Sequence, residues 1–235
     1  MAFHFEEGEL LLIDKPLEWT SFDAVNFVRS FLKHCFKLKK LKVGHAGTLD
    51  PLATGLLLIC TGKLTKKIQD LQDMDKVYTG TMLLGQTTPS FDLETEPDAF
   101  FPIENITPEK LEMARLQFIG EIEQTPPIYS AIKIDGKRAF LYARNNQDVI
   151  IKSRKITINK FELTSVNLPE ISFQVACTKG TYIRSLINDF GVALNNGACL
   201  TSLRRTQIGH FNINNAVTID QFRESVLHER SIDIS

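Results

Sequence analysis

Gly44-His45-Ala46-Gly47-Thr48-Leu49-Asp50-Pro51-Leu52-Ala53-Thr54-Gly55 sets a carboxylate among turn-forming residues, near a histidine and just ahead of the apolar run Leu56-Leu57-Leu58-Ile59. Glycine at 44, 47 and 55 admits backbone shapes that other residues resist. Pro51 fixes its own φ and biases Asp50 away from helix. The stretch is predicted to form a rigid loop that holds Asp50 still and feeds a buried strand. Loop chemistry alone leaves two readings of Asp50, a surface Asx-turn residue or a positioned acid.

Working outward, Glu9 to Ile13 reads as a short buried strand ended by Lys15-Pro16. Thr20 and Asp23 make a capping-box start for a helix with Val25, Val28, Phe31 and Leu32 on one face. Beyond the loop come a strand over Leu56 to Cys60, a short helix over Thr65 to Leu71, and a strand over Lys76 to Leu84 with a turn at Gly85. Gln86 to Asn105 is acidic and aperiodic and reads as a long surface loop. Thr107-Pro108-Glu109 opens a helix running to about Phe118. Thr125-Pro126-Pro127 then breaks the chain. Ile171, Phe173, Val175 and Cys177 alternate with smaller or polar residues as in a half-buried strand. Gly180-Thr181 turns into a helix burying Ile183, Leu186, Ile187, Phe190 and Leu194, with Gly191 read as a turn. Thr218 and Gln221 cap a last helix ending near Leu227. The expected fold class is α+β, one domain over residues 1–235. It should have a large mixed or antiparallel sheet flanked by helices and a basic, hairpin-like excursion over about 128–155.

The composition suits such a fold: 235 residues, 43% hydrophobic and 23% charged, enough to bury a core and unlike a disordered chain. Net charge is −1, but the charge is segregated. Lys33 to Lys42 holds five lysines and no acid, Ala131 to Lys155 seven Lys/Arg against two Asp, and Asp92 to Glu112 seven acids and one lysine. Basic segments of this kind can grip phosphates locally. The cysteines at 35, 60, 177 and 199 have no paired spacing, which suggests neither metal nor redox motif and fits a reducing compartment. No signal-peptide pattern or run of ~20 apolar residues occurs, so a cytoplasmic location without membrane attachment is expected. Three local matches fail in context. Gly62-Lys63 lacks phosphate-loop spacing, Asp189-Phe190-Gly191 lacks kinase partners, and the histidines lack metal-ligand spacing.

Further blocks stand in order along the chain: Lys15-Pro16 with Thr20-Ser21, Lys76-Val77-Tyr78 with Leu84-Gly85, and Pro126-Pro127-Ile128-Tyr129-Ser130-Ala131-Ile132-Lys133 with Gly136 and Ala143-Arg144. They are followed by Gly180-Thr181-Tyr182-Ile183-Arg184-Ser185-Leu186 and Leu203-Arg204-Arg205. Together with the Asp50 run, this set resembles the TruB family of pseudouridine synthases. Two departures occur. Glu18 stands where the family usually has Gly, and Ser90-Phe91-Asp92-Leu93-Glu94-Thr95 keeps the Asp of a family loop without its Gly. The chain is expected to lack the RNA-binding PUA domain found in many members.

The resemblance implies a pseudouridine-synthase fold and an isomerase that converts uridine 55, in the T-arm loop of tRNA, to pseudouridine. The glycosidic carbon–nitrogen bond breaks, and the uracil turns over and rejoins the ribose through carbon. No redox change occurs, so no cofactor is implied, and no metal. A carboxylate can serve as the nucleophile, which assigns Asp50. Tyr78 matches a tyrosine that stacks on the uracil, and Tyr182 and Arg184 match active-site residues, Arg184 keeping the carboxylate ionised. His45 matches the residue that fills the gap left by the flipped base. Leu203 walls the base pocket. Lys15, Pro16, Gly47, Thr48 and Leu49 fall in motifs at the substrate, and Lys133 and Arg144 in an RNA-gripping thumb. The implied partner is the tRNA T-arm, bound by a monomer that needs no other protein. The alternative reading is a tRNA-binding, folding-assisting protein whose chemistry is incidental. The four residues Asp50, Tyr78, Tyr182 and Arg184 together favour the enzyme.

Overall fold

The computed structural model describes residues 3–130, 132–134, 136–144, 147 and 149–232. In chain order it begins with strand β1 (Leu10–Lys15) and helix α1 (Ser21–Cys35), followed by β2 (Val43–Ala46) and β3 (Ala53–Thr61). Helix α2 (Ile68–Asp73) leads into β4 (Lys76–Leu84), and the short β5 (Gln86–Thr87) pairs with β6 (Ala99–Phe100). Helix α3 (Pro108–Leu116) precedes β7 (Gly120–Gln124). A two-residue hairpin, β8 (Lys133–Ile134) with β9 (Lys137–Arg138), leads into α4 (Ala139–Arg144). The long hairpin β10 (Arg154–Asn167) and β11 (Glu170–Cys177) precedes α5 (Ile183–Ala193), β12 (Ala198–Ile208), β13 (Phe211–Asn212) and α6 (Ile219–Ile232). The expected α+β class with a large sheet is what forms. Its hydrogen-bonded strand order is β1-β3-β12-β4-β11-β10-β7, with β2 on β3 and β13 on β12.

Contacts group the chain into two compact units, residues 3–78 with 204–232, and residues 79–203; β4 and β12 contribute residues to both. In the first unit β3 is buried on both faces, which is why it reads as a continuous apolar run. Leu57 and Ile59 pack with Ile13, Val28, Leu32 and Phe222, while Leu56, Leu58 and Cys60 pack with Ala46, Leu71 and Ile208. Helix α1 starts as expected, with Thr20 and Asp23 closing a reciprocal capping box. In the second unit Phe161 of β10, Phe173 of β11 and Phe190 of α5 form edge-to-face pairs at 5.6 and 6.3 Å between centroids.

Four local expectations are corrected. The loop predicted from Gly44 begins only at Gly47, because Val43 to Ala46 pairs with Ala53–Thr61 in register Gly44↔Cys60 and His45↔Ile59. The segment over 86–105 is not a wholly exposed loop. Thr88, Ser90 and Asp92 are buried, with the Asp92 carbonyl accepting from the Thr88 and Ser90 hydroxyls at 2.6 and 3.1 Å. Gly191 lies inside α5, where a Cβ would fall 2.8 Å from the Ala198 Cβ, so close packing explains it better than a turn. Helix α6 runs beyond Leu227 to Ile232, its inner face anchored by Phe222 and Val226.

Glu18 adopts φ +66°, the left-handed region where a side chain strains the backbone. Its N–H donates to the Pro51 carbonyl at 2.9 Å, so this strained turn is tied to the Asp50 loop. Glu18→Gly is therefore expected to stabilise the fold by about 0.5–1 kcal/mol, the relief at φ > 0 exceeding the added chain entropy. A lower denaturation midpoint in urea for this variant would show that the Glu18 side chain contributes more than its backbone strain removes.

Candidate active site

In the first unit, the six residues from Gly47 to Leu52 bridge β2 and β3 and carry Asp50, half-buried, near their middle. Three groups clamp this loop through its backbone. The Ser21 hydroxyl, at the start of α1, accepts the Leu49 N–H at 2.8 Å and donates to the Leu49 carbonyl at 3.1 Å. The Glu18 turn holds Pro51. From β12, Arg205 donates to the carbonyls of Gly47 (3.0 Å), Thr48 (3.4 Å) and Leu56 (2.8 Å) while only 1% exposed. A guanidinium presents several donors in one rigid fork, and here the fork spans three carbonyls. The glycines make room for it. Gly47 has φ +91°, and at Gly55 (φ +105°) a Cβ would lie 2.8 Å from the Arg205 backbone nitrogen.

Lys15 stands opposite Gly55 in the β1–β3 register and is fully buried. Its ammonium donates to the carbonyls of Pro16 (2.8 Å) and Trp19 (2.6 Å), which fixes the turn that carries Glu18. Burial pushes its pKa down to about 8, with the Asp50 carboxylate acting in the opposite sense and the Arg205 guanidinium adding to the depression. Two buried cations thus lie near one loop carboxylate. His45, in β2, is held below its usual range by burial and by Arg205, so its imidazole is neutral at pH 7. Leu49 is buried, Thr48 exposed, Gly47 and Pro16 half-buried, and Tyr78, in β4, buried.

A pH dependence follows from Lys15. Its folded pKa lies below that of a free lysine near 10.4. At pH 7 both states are protonated and the folded state bears the full cost of burying the charge. Between about pH 8 and 10.4 the unfolded chain keeps the proton that the folded chain has released, so this residue makes stability rise with pH. The gain is expected to reach at most about 3 kcal/mol. Urea unfolding of wild type and Lys15→Met across pH 7–10.5 isolates it. A difference between the two proteins that stays flat over that range would contradict the depressed pKa.

The second unit holds the other motif. Arg184, in α5 and 3% exposed, donates to the carbonyls of Ser90 (3.1 Å) and Tyr129 (2.7 Å). Its Nε lies 3.5 Å from the buried Asp92 carboxylate. Two carbonyls and a carboxylate thus hold this buried guanidinium in position. Asp92 in turn accepts the Glu94 N–H at 3.0 Å. Tyr182 is the N-cap of α5, and the buried Gln124 side chain grips both its backbone groups, accepting its N–H at 2.8 Å and donating to its carbonyl at 3.0 Å. The Arg154 guanidinium sits 4.9 Å above the Tyr182 ring. Leu203 is half-buried on β12. The backbones of Lys133 and Arg144 fall in β8 and α4; their side chains, and all of Ala131, lie outside the described residues.

The first-unit cluster therefore joins Lys15, Pro16, Gly47, Thr48, Leu49 and Asp50. Three residues that organise these sites were not singled out from sequence: Arg205, Asp92 and Gln124. Arg205 and Asp92 lay inside quoted blocks, and their burial is a tertiary fact. Among the described residues no group of three or more His, Cys, Asp or Glu could hold a metal ion, and no helix is long and apolar enough to cross a membrane.

Residues 33–183 match the model of the TruB family pseudouridylate synthase N-terminal domain, and 184–233 that of the tRNA pseudouridylate synthase B C-terminal domain. The chain is 58% identical over 221 residues to tRNA pseudouridine synthase B of Flavobacterium johnsoniae, covering 94% of this chain and 96% of that protein. It is 53% identical over 221 residues to the protein of the same name from Phocaeicola vulgatus, covering 94% of each. Among solved structures, one chain of a Cbf5-Nop10-Gar1 complex superposes with TM-score 0.73 at 28% identity over 99% of this chain. An archaeal box H/ACA sRNP Nop10-Cbf5 complex gives 0.67 at 26% over 95%. This chain spans only 58% and 55% of those two, whereas it matches its bacterial relatives nearly end to end. With the family model covering well over half its length and relatives above 50% identity along almost all of it, the chain belongs to the TruB family of pseudouridylate synthases.

Proposed function

We propose that this protein isomerises uridine 55 of tRNA to pseudouridine with Asp50 as the nucleophile. The observation that carries the reading is the clamped Asp50 loop. Its backbone is held at Gly47, Thr48, Leu49 and Pro51 by Arg205, Ser21 and the Glu18 turn, which fixes the point from which the carboxylate side chain projects. A nucleophile fixed before substrate arrives avoids the reorganisation that chemistry in water requires. The uridine must leave the RNA stack to reach it. The neutral His45 ring is assigned to the gap left behind, offsetting part of the few kcal/mol that unstacking costs. Tyr78 is assigned to the face of the uracil and Leu203 to the wall of its pocket. Arg184 and Tyr182 are assigned by motif, and the ties of Arg184 to Asp92 and of Tyr182 to Gln124 support a fixed geometry. Lys15 and Pro16 act by shaping the turn under the loop, since the Lys15 ammonium is spent on backbone carbonyls.

The substrate element in this reading is the T-arm stem-loop, with residues 128–155 as a thumb whose Lys133 and Arg144, with the exposed Lys137 and Arg138, contact phosphates. The whole of 1–235 serves as one catalytic domain. It acts as a monomer in the cytoplasm without a protein partner, and bond making balances bond breaking without a cofactor. The deciding experiment incubates the protein with unmodified tRNA transcript and maps pseudouridine by site. Product at position 55 is expected. Tight binding with no product would instead favour a folding role.

A further inference from the structure

The lysine-rich segment 33–42 has no part in the reaction as proposed, yet it lines a groove of about 630 Å³ in the first unit together with residues that follow β3. Seven of its eleven lining residues are Lys or Arg, and one, Glu6, is acidic. Lys39, Lys40, Lys42 and Lys66 are exposed, and no ion pair or side-chain hydrogen bond engages these four or Lys33 among the described residues. Lys63, by contrast, pairs with Glu7 at 2.7 Å. Seven like charges facing one acid in the lining repel one another, and they are complementary to an anion.

Position sets which anion. Lys42 directly precedes β2 and Gly62 directly follows β3, at the end where Val43 pairs with Thr61. The Asp50 loop joins the opposite ends of the same two strands. The loop leaves β2 after Ala46, opposite Leu58, but the Asp50 carbonyl accepts the Ala53 N–H at 3.1 Å, so Asp50 lies at the far end of β3, eight residue steps from Thr61 or about 26 Å at ~3.3 Å per residue. A base reacting at Asp50 and its nearest neighbours do not extend that far. Flexible lysines spread over two chain segments act as separate point charges and do not converge on one phosphate. That pattern suits a polyanion running across the groove.

We infer that this groove is a second RNA contact, holding the sugar–phosphate backbone of the substrate tRNA at a part of the molecule outside the T-arm hairpin. The inference rests on the tRNA reading proposed above. Its test compares wild type with the triple variant Lys39→Ala/Lys40→Ala/Lys42→Ala on two RNAs, a full-length unmodified tRNA and an isolated T-arm hairpin, across a salt series. For the variant, affinity for the full tRNA is expected to fall at least tenfold at low salt. Its log–log salt slope should become shallower by about 2–3, near 0.9 per lost phosphate contact. Hairpin affinity and turnover should be unchanged, which also shows that the variant is folded. Unchanged tRNA binding would overturn the inference, and so would equal weakening on both RNAs, which would put the T-arm itself in the groove. If wild type modifies neither RNA, the functional reading has failed, and that is seen before any variant is compared.

Discussion

Asp50→Asn is expected to abolish isomerisation, by on the order of 10⁴-fold or more, while leaving fold and RNA affinity nearly intact. The amide matches the carboxylate in size, but it is a poor nucleophile and cannot form and release the covalent adduct that the isomerisation demands. The loop should stay in place because its clamps at positions 47, 48, 49 and 51 act on backbone atoms. Single-turnover measurement with saturating enzyme separates chemistry from binding. Turnover within tenfold of wild type would remove Asp50 from the nucleophile's role.

The second large effect is expected at Arg205. Arg205→Ala takes away a fully buried guanidinium and strands three carbonyl oxygens, those of Gly47, Thr48 and Leu56. Each buried carbonyl left unpaired costs about 1–3 kcal/mol, so three of them set a loss of at least about 3 kcal/mol. A loss of about 3–5 kcal/mol in urea unfolding is expected. Arg205→Lys keeps the charge but offers one point donor where a fork spans three acceptors. It should fold, lose less stability, and still lose activity, since a shift of about 1 Å in the nucleophile can cost about 100-fold. If Arg205→Ala destabilised the protein by less than about 1 kcal/mol, the loop would have to be held by the Ser21 and Glu18 clamps alone. If Arg205→Lys retained full activity, guanidinium geometry would not be what positions Asp50.

The same residues explain why some of the molecule could be read early. The apolar run from Leu56 to Ile59, the capping box at Thr20 and Asp23, and the alternation from Ile171 to Cys177 are local patterns, and the backbone follows each of them. Arg204-Arg205 is different. Adjacent on a strand, the two side chains face opposite ways. Arg204 pairs bidentately with Asp14 at 2.7 and 3.0 Å and stays partly exposed, whereas Arg205 is swallowed by the Asp50 loop. Nothing in the two letters separates these fates. Gln86 to Asn105 misled for a related reason. Its acids suggested solvent, but Asp92 turns inward to Arg184, more than ninety residues away in the chain.

The sequence by itself determined the α+β class, most element positions and the Asp50, Tyr78, Tyr182 and Arg184 motifs. Periodicity, capping and turn chemistry act over a few residues, and family motifs are strings. Only the tertiary structure decided that Lys15 and Arg205 are buried cations beside Asp50's loop, that Gln124 grips Tyr182, and that Glu18 carries strain on the loop's behalf. It also decided that scattered lysines from residues 33–42 and 63–66 share one groove. These facts depend on which distant segments pack together and exclude water. Burial then turns an ordinary Lys, Arg or Gln into a clamp, because a charged or polar group cut off from solvent must find its partners within the protein.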